Sequence, residues 1–526
     1  MATGRGWILK QHSLGIFRPL ATAGSSSAKS LPAFLVIPPV EENLTVAGCS
    51  IRDSVMSEHS AVAAMQLKKI DTRRQCRKST IKSNSTVNFD SLPSEILLKI
   101  LSYLDAESLL CTGCVNKSFY QLSNDNTIWL KIYSKSFLPK IKKWRAESAQ
   151  ESSVSLNLPE LLDRESGYWK KEYILKKIAV GKADVIQVLK PINTCTGLPL
   201  KTKEAIKICG LRWMIILKDR NGKEHVLDQK DISFNETSVT VFWYDSKWPC
   251  LETLSSLQVC GVKPVLLGES KVHPKNGPWQ RSLIFKYELV NLTENARMIG
   301  CDALVELYCF DQGLLVGLWK KSEIAFVMAS LHYHQLVERS TLGSATMRYA
   351  AAPDKAILDD IDPEYGMHGY QLHIDIHSRG NTYMCSIFRS LFCKKGYIRN
   401  GYLRFTVISY KNTAQHLPLV GNVGFSWRTD ALEGNVQNCF IMDVTLLDDS
   451  QKPFWCFSAP VNMVLSPKPS SLYQYLGPSY YLNHIDTTGK VHMELVWMEE
   501  TNEYCIVNLV VYLSTQTVNN WFGTHY

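Results

Sequence analysis

The stretch LPSEILLKILSYLDAESLL, Leu92 to Leu110, carries more aliphatic side chains than one short amphipathic helix can hide against its own small domain. Pro93 suits the first turn of a helix, where its missing N–H costs nothing. After it Ile96, Leu97, Ile100, Leu101 and Leu104 recur at helical spacing, separated by Glu95, Lys99 and Ser102. Asp105 is placed to cap a second short helix bearing Leu109 and Leu110, and Gly113 to break it. VNKSFYQL then forms a third turn with Val115, Phe119 and Leu122 expected inward, and SNDNT caps a last piece with Ile128, Trp129, Ile132 and Tyr133. About fifty residues folded as three or four short helices have a poor ratio of core to surface. Adjacent side chains on a helix point about 100° apart, so the pairs Ile96/Leu97 and Leu109/Leu110 cannot all serve one narrow stripe. Part of this surface needs a second polypeptide.

A chain of 526 residues splits into a few domains. With 45% hydrophobic and 20% charged residues the composition is that of a globular protein, and no apolar run approaches the roughly 18 residues of a membrane span, so no membrane partner is expected. The formal charge of +9 is concentrated in residues 1–86, which hold 12 Lys+Arg against 5 Asp+Glu and leave 46 against 44 for the remainder. A nearly neutral body argues against nucleic acid as a partner. Fifteen cysteines, odd in number and irregularly spaced, fit reduced thiols in the cytoplasm or nucleus better than a disulfide framework. Sequons at Asn43, Asn84, Asn116, Asn235 and Asn291 are read as chance, since no hydrophobic signal segment opens the chain. The tail 1–86 is expected to be disordered. Its first forty residues have the basic, Ser-rich composition of a presequence, and LKKIDTRRQCRKSTIKS could serve as an import signal; a solvated tail is the commoner fate of both.

The run LPSEILLKILSYLDAESLLCTGCVNKSFYQLSNDNTIWLKIY closely resembles the F-box, matching at Leu92, Pro93, Glu95, Ile96, Leu97, Ile100, Leu104, Leu109, Leu110, Val115, Phe119, Leu122 and Trp129. The resemblance implies a three-helix F-box domain within 87–137 that binds a Skp-type adaptor. Through that adaptor come a cullin and a RING subunit, which recruits the ubiquitin-charged enzyme. It also implies that the matched positions from Leu92 to Trp129, Leu122 apart, form the adaptor-binding surface. Cys111 and Cys114 make a lone C-x-x-C without a second pair, and are read as buried packing rather than as zinc ligands.

Residues 138–190 read as a helical connector, with Tyr168, Trp169, Tyr173 and Ile174 at helical spacing and expected to back onto the F-box. From 191 to 526 the pattern is one of β-branched and aromatic segments with polar breaks, which predicts a mainly antiparallel, sandwich-like β region, with a long loop near 343–367 as a possible division into halves. Within it Asn221-Gly222 is expected to supply the positive φ values of a tight hairpin turn. The fold class is therefore α+β and multidomain. No G-x-G-x-x-G, P-loop, G-x-S-x-G or H-E-x-x-H occurs. His332 and His334 alternate on an expected strand and His373 and His377 share a face of another, with His368, Asp362, Glu364 and Asp375 near in sequence. These four imidazoles could hold a metal, but a hydrogen-bonded core histidine is commoner, and neither metal nor cofactor is assigned. Trp243, Trp248, Trp427, Trp455 and Trp497 admit a ligand groove, with core packing again the commoner outcome. The function expected is a non-catalytic receptor subunit of a Skp-cullin-F-box ubiquitin ligase, its β region binding an unidentified substrate protein. The alternatives are an F-box scaffold acting outside ubiquitination and a metal-dependent β-fold enzyme.

Overall fold

The computed structural model describes residues 92–137, 164–266, 279–289, 296–320, 323–350, 366–394, 396–467 and 475–526. The basic tail with its candidate targeting signals, most of the connector's first half, and Asp362 and Glu364 lie outside the described residues.

Four helices rather than three build the N-terminal module: α1 (Ser94–Leu101), α2 (Ala106–Thr112), α3 (Lys117–Ser123) and α4 (Asn126–Phe137). Pro93 precedes α1, and local polar side chains start the other three. The Asp105 carboxylate accepts the Ser108 N–H at 2.8 Å, the Asn116 amide oxygen accepts the Phe119 N–H at 2.7 Å, and Asp125 accepts the N–H groups of Thr127 and Ile128, each at 3.0 Å. The sequon at Asn116 is thus used as a cap. Gly113 ends α2 with ordinary right-handed geometry. Its lack of a side chain matters for another reason, because a Cβ there would meet the Ser123 hydroxyl of α3 at 2.5 Å.

A 22-residue helix, α5 (Tyr168–Leu189), joins this module to the β body. Its first turns pack on α4 through aromatic rings, with centroids 5.5 Å apart for Trp129 and Tyr173, 5.3 Å for Tyr133 and Trp169, and 5.5 Å for Phe137 and Tyr173. Lys170 Nζ donates to Asn124 Oδ1 at 2.9 Å, and Asn126 Nδ2 donates to the carbonyls of Arg164 and Glu165 at 2.9 and 3.0 Å. Its last turns bury Val185 and Leu189 in the core of the first sandwich, beside α6 (Thr202–Cys209).

The first β half contains β1 (Arg212–Asp219), β2 (Glu224–Asp228), β3 (Asp231–Phe234), β4 (Ser238–Trp243), β5 (Leu254–Pro264), β6 (Trp279–Glu288), β7 (Arg297–Cys301), β8 (Val305–Cys309), β9 (Leu314–Trp319) and β10 (Ile324–His332), followed by α7 (Leu336–Leu342). They form sheet I, ordered β2-β1-β5-β6, and sheet II, ordered β3-β4-β10-β9-β8-β7. Alternation places Trp213, Ile215 and Leu217 of β1 against Val239, Val241 and Trp243 of β4 and Val327, Ala329 and Leu331 of β10 in one core. The β1–β2 hairpin forms as the sequence predicts, but its turn is longer than two residues. Gly222 alone in it has a positive φ, of 84°, and the Asp219 carboxylate organises the loop by accepting the N–H groups of Asn221 at 2.9 Å and Lys223 at 2.8 Å.

The second half contains β11 (Gln371–Ser378), β12 (Asn381–Phe388), β13 (Tyr402–Ile408), β14 (Leu417–Leu419), β15 (Gly424–Arg428), β16 (Glu433–Gln437), β17 (Cys439–Leu447), β18 (Pro453–Asn462), β19 (Val464–Leu465), β20 (Ser479–Ile485), β21 (Gly489–Met498), β22 (Glu503–Ser514) and α8 (Thr515–Phe522). Sheet III is ordered β12-β11-β17-β18 and sheet IV β13-β22-β21-β20-β19. Leu372, Ile374 and Ile376 of β11 and Phe440, Met442 and Val444 of β17 point toward sheet IV. The opposite faces of β11 and β17 meet sheet II, and the β15–β16 hairpin covers part of that seam through Phe425 and Trp427, which pack on Phe242 and Phe326. The four sheets are therefore stacked in the order I, II, III, IV. Trp243, Trp427 and Trp455 are core residues, and Trp248 and Trp497 are half-buried, so packing accounts for the tryptophans.

Sheet I is tied to α7 at a close backbone approach, where a Cβ on Gly261 would lie 2.4 Å from the Ser340 carbonyl oxygen. Gly261→Ala is therefore expected to cost about 1–3 kcal/mol by forcing α7 off β5. Differential scanning calorimetry of the full chain should show a lower unfolding temperature, and an unchanged one would contradict this packing.

Candidate functional site

The helical module carries two apolar stripes. Leu101 of α1 points inward, where it joins Leu109, Leu110, Ile128, Trp129 and Tyr173, and Leu97 is buried one turn before it. One position away, Ile96 and Ile100 of α1, with Tyr103 in the turn that follows it, form the other stripe, and they are 48%, 42% and 76% exposed. Val115 before α3 and Tyr120 on α3 add 62% and 55% exposed side chains to the module's surface. A cleft of about 770 Å³ opens between α1 and α3, lined by Leu92, Leu97, Leu98, Phe119 and Leu122 with polar Asn116, Asp125 and Asn126 among its walls. Glu95 is exposed on the same turn as Ile96, and Lys99 lies 5.5 Å from the Tyr103 ring.

This geometry sorts the residues singled out from sequence. Pro93, Glu95, Ile96, Ile100 and Val115 are exposed, and Leu92, Leu104 and Phe119 are half-buried, so a partner can reach them. Leu109 and Trp129 have no exposed surface and Leu110 is 9% exposed, so these three belong to the module's own core. Trp129 is fixed further by its indole N–H, which donates to the Ser123 carbonyl at 2.6 Å. Leu97 is buried but borders the cleft. Val115, expected inward, faces solvent because it sits in the turn before α3 rather than on a packed helical face. Cys114 is exposed too, while Cys111 is half-buried, so the reading of both thiols as buried packing holds only in part. Tyr103 and Tyr120 were not among the sequence candidates. The spacing of Tyr103 from Ile96 and Ile100 was the available signal.

A family model described as F-box-like matches residues 89–135, the span of these four helices. Over the whole chain, a human protein named F-box only protein 15 is 50% identical across 529 residues, covering 100% of both chains. The chain belongs to the F-box only protein 15 family. Proteins of the same name from Macaca fascicularis and Mus musculus are 55% and 46% identical over 436 residues, in each case covering 100% of the relative and 83% and 82% of this chain. The helical module is thus an F-box domain, and its outward stripe and cleft lie within it.

The histidine candidates fall elsewhere. His332 ends β10 with its side chain toward sheet III, but His334 lies beyond the strand, so the two do not share a strand face; the His334 N–H instead donates to His332 Nδ1 at 3.1 Å. His368 is exposed and apart. His373 and His377 do share a face of β11, together with Asp375, and all three are buried against sheet II. Asp443 of β17 joins them. Its Oδ2 accepts from Thr237 Oγ1 at 2.9 Å and lies 2.9 Å from His377 Nε2, and its Oδ1 accepts from the Ser458 hydroxyl. Ser238 Oγ lies 3.3 Å from His377 Nε2, and Thr445 Oγ1 lies 2.8 Å from His332 Nε2. Burial pushes the His332 imidazole down to about 3. Burial likewise opposes charge on His377, but the attraction and hydrogen bond of Asp443 outweigh it and raise this imidazole. Burial, with Asp443 adding to it, raises the Asp375 carboxyl, while His377 holds Asp443 down against its own burial. A sealed layer of this kind offers no opening to a substrate, which argues against a catalytic site here.

The module's core and its outward stripe give opposite expectations for similar substitutions. Leu109→Asp buries an unpaired charge at a site without exposed surface and should cost on the order of 4 kcal/mol, melting α1–α4. Ile100→Asp leaves its charge in water and should change helicity little. Circular dichroism and hydrogen exchange of the two full-length variants should separate them, and equal loss of helix protection would refute the assignment of stripes.

Proposed function

We propose that the chain is the substrate receptor of a Skp-cullin-F-box ubiquitin ligase, with its F-box docking the adaptor and its β body binding the substrate. The observation that carries this reading is the solvent-facing stripe Ile96, Ile100 and Tyr103 beside an open cleft, on a module whose inner stripe already fills its core. A surface of that kind is costly to leave wet.

Magnitudes decide how much of the surface takes part. Each of Ile96, Ile100, Tyr103, Val115 and Tyr120 has roughly half its area left to bury, worth about 1 kcal/mol apiece. About 5 kcal/mol in all falls short of the roughly 8 kcal/mol of net free energy that a micromolar complex needs, before the cost of association is met. The cleft must therefore be filled as well, bringing Leu92, Leu98, Phe119 and Leu122 into the interface. In this reading the adaptor inserts apolar side chains between α1 and α3 while covering the stripe.

The role requires no catalytic residue from this chain. A ligase of this class works by holding a substrate lysine near a ubiquitin thioester carried by its partners, so the receptor contributes proximity and orientation. The continuous α5, anchored in the F-box core at Tyr173 and in the sandwich core at Leu189, supports such a fixed distance. Buried thiols at Cys209, Cys260 and Cys505 form no disulfide, which supports a reducing compartment, the cytoplasm or nucleus.

Replacing Ile96 and Ile100 together by Glu in the full chain should weaken adaptor binding by at least about 100-fold in calorimetric titration, with helicity unchanged. Wild-type affinity in this folded variant would sink the proposed surface. Pull-down of the wild-type chain should recover cullin and RING subunit with the adaptor; recovery of the adaptor alone would favour the scaffold reading instead.

A further inference from the structure

Sheets II and III are separated by a layer whose charges do not balance. Asp375 and Asp443 stand directly opposite each other in the β11–β17 register, both side chains face sheet II, and both residues are 0% exposed. Like charges directly across a strand pair repel, and burying either one in water-free surroundings is unfavourable unless it is paired. Asp443 is well provided for, with Thr237, Ser458 and His377 around its two oxygens. Asp375 is not: neither of its carboxylate oxygens has a hydrogen-bond partner, and His377 Nδ1 lacks one as well. The charged groups acting on Asp375 are Asp443, Glu236 and His377, so two of the three are negative. Yet donor atoms of Asp375, His377 and Asp443 all lie within 4.8 Å of one another.

We propose that a divalent cation of the zinc class binds between β11 and β17, held by the carboxylates of Asp375 and Asp443 and the imidazole of His377. Two carboxylates and a neutral imidazole carry two negative charges, which one dication neutralises. A single proton would leave one charge and at least one Asp375 oxygen without a partner. The donor set selects the ion: an imidazole beside two carboxylates, with no thiolate, suits zinc or manganese better than calcium or magnesium, which favour oxygen alone. Small side-chain rotations would bring donors from within 4.8 Å to the separation of about 3.3 Å that tetrahedral bonds of about 2.0 Å impose. Thr237 and Ser458, already donating to Asp443, are the outer hydrogen bonds that orient a ligating carboxylate.

The three ligands are buried away from any substrate, and a buried water or the second oxygen of Asp375 would fill the fourth position, so the ion's task is structural. Thr237 and Ser238 belong to the first sandwich, while Asp375, His377 and Asp443 belong to the second. The ion therefore fixes the face of sheet III on which sheet II is seated, and it is loaded as the chain folds.

The test is the metal content of the full chain, purified without a polyhistidine tag or chelator, together with the X-ray absorption spectrum of any metal found. The proposal expects about one equivalent of zinc, or of manganese in its place, bound by nitrogen and oxygen. Less than about a fifth of an equivalent, or a first shell dominated by sulfur, would overturn it. Asp375→Asn should lose the metal and refold in lower yield, whereas the wild-type chain refolded from denaturant should recover only when zinc is supplied. A soluble Asp375→Asn variant that keeps its metal would place the metal elsewhere, and wild-type refolding indifferent to zinc would leave this layer to a proton or water; either result overturns the proposal. If the variant fails to fold, the wild-type stoichiometry and spectrum decide the matter.

Discussion

Trp129 is held on every side, and the orientation of the F-box on α5 follows from that. Its ring lies against Tyr173 of α5, its indole N–H is bonded to the Ser123 carbonyl, and it has no exposed surface. Burying an indole of roughly 200 Å² contributes on the order of 5 kcal/mol, comparable with the entire stability of a small helical domain. Because Tyr173 of α5 makes part of that contact, the F-box is completed by a helix outside its family span of 89–135. The F-box and the β body are consequently joined by a helix packed into a core at each end rather than by a free linker. Rotation about the joint would have to break the aromatic seam formed by Trp129, Tyr133 and Phe137 with Trp169 and Tyr173.

The β body solves a different problem. Four stacked sheets have three internal interfaces, and two of them are apolar cores of the usual kind. The middle one is mixed, apolar where the β15–β16 hairpin covers Phe326 and polar around Asp443. Polar groups at such a seam cost stability unless satisfied but tolerate one register and one docking angle, whereas leucines would tolerate several. The direct opposition of Asp375 and Asp443 makes sense in that light, since it is a demanding arrangement that a slipped strand could not meet.

Much of this was legible from residue patterns. The apolar pair Ile96/Leu97 implied two apolar faces on α1, the Asp105 cap marked where α2 begins, and the β-branched and aromatic segments SVTVFWYDSKW, YQLHIDIHS and IMDVTLLDD marked strands. What escaped the sequence was of two kinds. The helices α6, α7 and α8 have eight residues or fewer, as α1 to α3 do, but they lie singly among strands without the F-box pattern, and so short a run shows too little periodicity by itself. Side-chain direction across the fold was the other. Val115 and Leu109 are both aliphatic members of the F-box pattern, yet one is in solvent and the other in the core, and only the packing of α2 on α4 distinguishes them. Likewise His373 and His377 could be paired by their spacing, but Asp443, 66 residues beyond His377, could be brought to them only by the β11–β17 pairing.

The claim at the centre of this account is that Ile96, Ile100, Tyr103 and the α1–α3 cleft are covered by a Skp-type adaptor. Hydrogen–deuterium exchange of the full chain, with and without that adaptor, tests it most directly. The account predicts slower exchange in peptides spanning 94–104 and 115–122, with the strands of sheets I to IV unchanged. Protection confined to the β body, or none on α1, would contradict it.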